Sequence, residues 1–207
     1  MPLSTYLVGK LLTHALKGTA FVQPTNLNLA LSKADPTPDA SGLSEVSGGA
    51  YARQTVNAWT QSGRGSSNTS TINFSQATAP WGTVTHWALF DDAGSPNLFA
   101  YGALVSGCVV FAADAATNKI TAPGHSFSNG DQVRVCSVAL PSGLSAATTY
   151  FVIGVSGDTF QLSLSSGGSA VDITGDGLGE IGKDLTQTVQ IGNTVSIAGG
   201  QLAIAMP

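Results

Sequence analysis

Charge is what this sequence most lacks. Of 207 residues, only 10% are Asp, Glu, Lys or Arg, where a soluble domain usually carries about 25%. Such a surface belongs to a membrane protein, to a low-complexity segment, or to a chain whose surface is covered by neighbours. Long apolar runs are also missing. No stretch reaches the ~20 apolar residues that span a bilayer, and the longest, such as Gly107 to Ala113, are short and β-like. No membrane insertion is therefore expected. Nor is a secretory signal, because no basic region precedes the first apolar residues and Lys10 interrupts them. The 8 Lys and Arg are scattered, and the net charge is -4. A nucleic-acid partner needs a clustered basic face to neutralise phosphates, so none is expected. Two cysteines, Cys108 and Cys136, are too few for a disulfide framework or a zinc site. They read as two buried, reduced thiols of a protein made in a reducing cytosol, or as one bridge within the segment that holds them.

What is present is regular. The length suits one ordinary core, or a modest domain with a small second one. Apolar residues at 3, 7, 8, 11, 12, 15 and 16 make a helical stripe. Ser4 is a candidate N-cap and Gly18 a candidate stop after Lys17. Gly9 weakens this helix, so packing on a sheet is expected to hold it. The period then changes to two. Asn26 to Ser32 alternates as a half-buried strand, and a Pro- and Gly-rich loop runs from Lys33 to Ala50. Tyr51 to Ala58 reads as a strand, Gln61 to Ser67 as a Gly/Ser loop, and Thr69 to Phe74 as a further strand. Trp81 to Phe90 and Leu98 to Leu104 flank Asp91 to Asn97, whose Gly, Pro and Asn are turn formers. These two strands are predicted to form a β-hairpin.

From about Cys108 to Gly182 the texture changes to short strands separated by turns: Asn118 to Ala122, Gln132 to Ser137, Thr149 to Val155, Thr159 to Leu164 and Ala170 to Thr174. Ser156-Gly157-Asp158 is a hairpin turn, and Gly-rich Thr174 to Gly182 reads as an exit linker. Gln187 to Ile191, Thr194 to Ile197 and Gln201 to Ala205 then alternate again. These last residues are too few to fold alone, so they are expected to complete the sheet begun by residues 26 to 104. The fold class is thus mainly β: a β-sandwich frame with one N-terminal helix (1–107 plus 183–207) and an inserted small all-β domain (108–182).

Motifs that carry chemistry are mostly missing. His14, His86 and His125 fall in a predicted helix, strand and turn, with no metal-ligand spacing between any pair; each reads as structural. Serines abound, but there is no Gly-x-Ser-x-Gly elbow. Asp172, Asp176 and Glu180 lack the alternate spacing of a helix-loop-helix calcium loop. Gly175 to Gly179 lacks the Lys and following helix of a phosphate loop. Trp59, Trp81, Trp87, Tyr51 and Tyr101 invite a sugar-binding reading, as do Tyr150 and Phe151 of the insertion. Trp81 and Trp87 share a face in a regular strand, and that face reads as core. No catalytic residue, cofactor or metal ligand is assigned, and the chain is not expected to be an enzyme.

Several segments carry a resemblance. Leu3 to Leu7 with Lys10-Leu11-Leu12, Leu27 to Leu31, Glu45-Val46-Ser47-Gly48-Gly49-Ala50-Tyr51-Ala52-Arg53 and Trp81-Gly82-Thr83-Val84-Thr85-His86 resemble small virion proteins of tailed bacteriophages, of the tail fibre protein type. The likeness covers residues 1 to 106 and 184 to 207. Within the insertion, His125 to Val133, Leu140 to Leu144, Thr148 to Ile153 and Asp158 to Leu162 resemble a small β module of phage tail proteins, similar also to the first catalytic-cysteine half-domain of ubiquitin-activating enzymes. That half-domain carries no active-site cysteine, so the likeness implies no activity at Cys136. The resemblance implies a structural part of the virion, assembled in the bacterial cytoplasm, in contact with copies of itself and other virion proteins, and associated with the tail or tail fibre. Capsid decoration and attachment to a host-surface glycan are the alternatives.

Overall fold

Sequence period and backbone change together at residue 18. The computed structural model describes residues 3–63, 65–92, 95–136 and 140–205. Ala93 and Gly94 of the expected hairpin turn, and Ser137 at the end of an expected strand, lie outside them. The fold is mainly β with one helix, the class that the patterning predicts. The chain divides into two compact units, one of Met1–Leu104 with Thr186–Pro207 and one of Val105–Leu185.

In the first unit, helix α1 spans Thr5–Lys17. Ser4 caps it: its Oγ accepts from the Leu7 N–H at 3.1 Å, meeting one of the amides that a helix start leaves unpaired. Gly18, at φ 67°, ends it in the left-handed conformation that glycine adopts without strain. The residues before the helix tie it to a strand. Leu3 bridges Ala100, the Ser4 N–H donates to Phe99 O at 3.0 Å, and the Ser4 hydroxyl donates to Leu98 O. The Tyr6 ring meets Phe99 at 5.8 Å. Yet no residue of α1 is fully buried, so the apolar stripe is only partly used.

Eight strands follow in this unit: β1 (Asn28–Ser32), β2 (Gln54–Thr55), β3 (Trp59–Ser62), β4 (Gly65–Asn68), β5 (Ile72–Asn73), β6 (Gly82–Val84), β7 (His86–Phe90) and β8 (Leu98–Ala103). The main sheet has the order β2-β1-β7-β8, with Leu29 opposite Leu89 and Leu31 opposite Trp87. β1 is buried on both faces, not half-buried. Its alternate positions hold the small Ala30 and Ser32, and the Lys33-to-Ala50 loop covers them. Ala40 and Leu43 pack on a cluster of Ala30, Ala88, Phe90, Leu98 and Tyr101, and the Ser32 hydroxyl accepts from the Ser44 N–H. Three expectations change. The Gln61-to-Ser67 loop is a hairpin of β3 and β4. The Tyr51-to-Ala58 strand shrinks to β2. The Trp81-to-Phe90 strand breaks at Thr85, whose N–H donates to Ser32 O, so β6 and β7 enter different sheets.

The second unit is a closed barrel of β9 (Val105–Asp114), β10 (Lys119–Thr121), β11 (Gln132–Val135), β12 (Thr149–Ser156), β13 (Thr159–Ser163) and β14 (Gly177–Asp184), in the order β10-β13-β12-β11-β14-β9. Its inward positions alternate as the sequence does. Phe111, Ile120, Val133, Val135, Tyr150, Val152, Phe160, Leu162 and Ile181 fill the interior, as side chains do in small barrels. The ends of this unit lie beyond 108 and 182, because the β9–β14 ladder runs on to Val105 opposite Asp184. The Gly-rich segment expected to be a linker, Thr174 to Gly182, is strand from Gly177 on, as part of β14, which is paired on both sides. Its glycines serve close approach: a Cβ at Gly177 would meet Pro141 Cγ at 3.2 Å, and one at Gly182 would meet Ser106 O at 2.9 Å. Residues 170–174 form one bridge, Ala170 to Ser163, and bury Ile173, whose N–H donates to Asn118 Oδ1 at 2.8 Å.

The chain then returns to the first unit as β15 (Gln187–Val189), β16 (Ser196–Ile197) and β17 (Ala203–Ala205), which pair with β6, β5 and β4 respectively. The tail thus retraces residues 84 to 65 and builds small sheets, while the main sheet is complete without it. Asn68 clamps this arrangement from a buried position. Its Nδ2 donates to Ser70 O at 2.7 Å and Ala198 O at 3.0 Å, and its Oδ1 accepts from the Leu202 N–H at 2.9 Å. Replacing it leaves buried backbone groups unpaired, at about 1–3 kcal/mol each. Asn68→Ala is expected to destabilise the chain by about 2–4 kcal/mol in denaturant titration and to speed hydrogen exchange at Leu202. An unchanged Leu202 exchange rate would show that the clamp is incidental.

Candidate functional site

The most developed polar constellation lies at the edge of β1, in the segment Glu45 to Arg53. β2 pairs only with Asn28 and Leu29, so the Leu31 N–H and C=O need other partners. The Val46 N–H donates to Leu31 O at 3.0 Å. The Leu31 N–H donates to the Tyr51 hydroxyl at 2.9 Å, and that hydroxyl donates to Glu45 Oε1 at 3.1 Å. Arg53 completes the cluster with a two-point contact, Nε to Oε1 at 2.8 Å and an Nη2 to Oε2 at 2.7 Å, while its guanidinium lies 4.1 Å from the centre of the Phe90 ring. Burial pushes the Tyr51 phenol above its ordinary range, and the Glu45 hydrogen bond holds the Arg53 proton more tightly. Gly49 sits at φ 55°, where an added Cβ would stand 2.8 Å from Ala79 O. Its carbonyl accepts from Trp81 Nε1 at 3.0 Å. Tyr51 stacks on Phe74 and meets Trp81 edge-on. The segment therefore ends a sheet. Its carboxylate, phenol and guanidinium satisfy one another.

The histidines are dispersed. His14 Nδ1 lies 3.1 Å from Thr19 O at the end of α1, and His86 Nδ1 lies 2.8 Å from Thr85 Oγ1. In the barrel, the Phe127 N–H donates to His125 Nδ1 at 3.1 Å. Nε2 therefore carries the proton and donates to Gly157 O at 3.1 Å. Among the described residues, no three His, Cys, Asp or Glu side chains gather closely enough to hold a metal ion. Asp176 accepts from the Ala115 N–H at 2.7 Å and pins the turn after β9. Gly175 to Gly179 leads into β14 and forms no phosphate loop. The aromatics make no exposed platform. Trp81 and Trp87 are 3% and 2% exposed, and Tyr101 and Tyr150 are buried. Trp59 is partly covered, and its Nε1 donates to Val56 O. Of the Tyr150–Phe151 pair, alternation turns Tyr150 into the barrel and leaves Phe151 half-buried on the other side.

Two features are only partly legible in the sequence, which allows a Cys108–Cys136 bridge but favours two separate reduced thiols. One is the exposed apolar surface of α1, where Val8, Leu12 and Leu16 stand on one helix face with Leu16 79% exposed. Their i, i+4, i+8 spacing was visible, but nothing in the sequence distinguishes a stripe that packs from one that does not. The other is the meeting of Cys108 and Cys136, which are free, half-buried and 3.0 Å apart at sulfur. A smaller apolar patch lies on the outer wall of the barrel at Val110 and Leu178.

The polar cluster at the edge of β1 thus terminates a sheet in a low-charge, mainly β chain. A comparison with protein families identifies its kind. The family described as Podophage GP4 fiber I protein gp80 matches residues 2–123, and the chain belongs to it. It is a bacteriophage fibre protein and a part of the virion. No curated protein matches the chain. The family match runs past the first unit into β9 and β10, whereas the likeness read from the sequence stops at residue 106 and resumes at 184. On the geometry above, Glu45→Gln is expected to lower stability by about 1–2 kcal/mol, less than for a fully buried pair because both partners are partly exposed. Thermal denaturation at low and high salt measures it, and a loss below ~0.5 kcal/mol would show the cluster to be peripheral.

Proposed function

We propose that the chain is a non-enzymatic building part of the tail-fibre apparatus of a tailed phage, acting through contacts with copies of itself and with neighbouring virion proteins. The match to a fibre protein family over residues 2–123 carries this reading. Low charge and exposed apolar side chains on α1 and on the barrel wall support it, because such surfaces usually mark contact with other proteins. The first unit is the anchoring frame, and Val105–Leu185 is an added β module. Its likeness to the first catalytic-cysteine half-domain of ubiquitin-activating enzymes supports a scaffold without chemistry, since the interior is filled by side chains. Assembly takes place in the bacterial cytoplasm.

Copy number tests the placement, because it follows the symmetry of the assembly. A fibre-associated chain counts in small multiples of a rotational axis, and a head-decorating chain scales with the shell. Quantitative mass spectrometry of purified particles is expected to find the chain at a small fraction of the major head protein. Parity with the head protein would move it to the capsid, and absence from particles would overturn the reading.

A further inference from the structure

Cys108 and Cys136 sit on strands that are not neighbours. Cys108 lies on β9, and Cys136 directly follows β11; β14 runs between them. Two local features bring their side chains together. The β9–β14 ladder shifts register between Ile181 and Lys183, where Gly107 takes φ 63° and places an extra residue on β9. Opposite this bulge stands Gly182, which pairs with Arg134 on its other side. Val109 and Ile181 face the core, as do Val133 and Val135, so alternation puts Gly182 and Cys136 on the outer face. A side chain at Gly182 would begin 3.0 Å from Cys108 Sγ. Glycine there leaves the gap across which the sulfurs meet at 3.0 Å. The Cys136 N–H donates to Glu180 O at 2.9 Å and fixes the end of β11 beside β14.

We propose that Cys108 and Cys136 are a dithiol set to close into an intramolecular disulfide across β14, an oxidative staple of the barrel. The bond, ~2.05 Å long, needs the sulfurs to approach by about 1 Å, and both side chains are partly open to solvent. The oxidant is a small-molecule disulfide. One cysteine thiolate attacks it, forms a mixed disulfide and releases one thiol. The second cysteine thiolate then attacks the mixed disulfide, forms the Cys108–Cys136 bond and releases the second thiol, and the two protons leave on the released thiols. The Cys136 thiol is pushed above its ordinary value by its hydrogen bond with Cys108 and by burial. Closure is therefore slow near neutrality and accelerates as pH rises, because the thiolate is the attacking form. The staple ties β11 to β9 across 28 residues of chain. That the bond forms after a particle leaves the reducing cytosol rests on the function proposed above.

The full chain, purified reduced, is incubated with oxidised glutathione at neutral and alkaline pH, blocked with an alkylating agent and mapped without reductant. The expected result is a Cys108–Cys136 cross-linked peptide, faster at alkaline pH, with a rise in thermal midpoint of roughly 10 °C or more. Cys108→Ser and Cys136→Ser are expected to stop at the mixed disulfide with no such rise. Alkylation of both cysteines after oxidation, or mixed and intermolecular disulfides alone, would overturn the staple. Purified particles, alkylated at the moment of lysis or after release, address the timing. A bond only after release is expected. A bridged chain at lysis, or an open one in released particles, overturns the timing alone. A chain absent from particles defeats the proposed function and leaves the staple standing.

Discussion

The ladder between β9 and β14 is the constraint on which the second unit depends. It runs from Ala113 opposite Gly177 to Val105 opposite Asp184, and it is the seam that closes six strands into a barrel. It also sets where the chain leaves the first unit and where it comes back. With Val105 and Asp184 opposite each other in the ladder, a module of about eighty residues can be held between Leu104 and Thr186 with its two ends side by side. A barrel closed this way has no open edge of its own, and its interior is fully used by side chains from Phe111 to Ile181.

How much of this was legible in the sequence depended on whether a signal was local. The helix, its Ser4 cap and its Gly18 stop could be read, because capping and periodicity act within a turn. The β7–β8 pairing and the β12–β13 hairpin could be read from their turn residues. The Gly-rich segment from Thr174 to Gly182 was misread because glycine has two uses. It loosens a linker, and it also lets backbones approach, and only the presence of Pro141, Ser106 and Cys108 beside it shows which applies here. The same holds for Gln61 to Ser67, whose serines pair as a hairpin, and for the tail, whose partners lie more than a hundred residues away. The sulfur–sulfur meeting had no local signal, since it depends on a bulge and on a register across three strands.

The polar groups at the described candidate positions are engaged within the fold. In the sequence, Glu45, Tyr51 and Arg53 stand out together only as parts of the segment that carries the resemblance. In the fold they complete the edge of β1 where β2 stops, and each satisfies the others. His125 is held by two hydrogen bonds between two aromatic rings. Asn68 spends its amide on the returning tail. Membership in a phage fibre family fits a chain with these internally engaged polar groups and so little surface charge.

Whether this chain is a fibre-associated structural part is decided by a reconstruction of the intact particle with the chain located in the density. Density for this chain is expected on the tail-fibre apparatus, in contact with other virion proteins. Density for it over the head shell, with none at the fibres, would rule out a fibre-associated role.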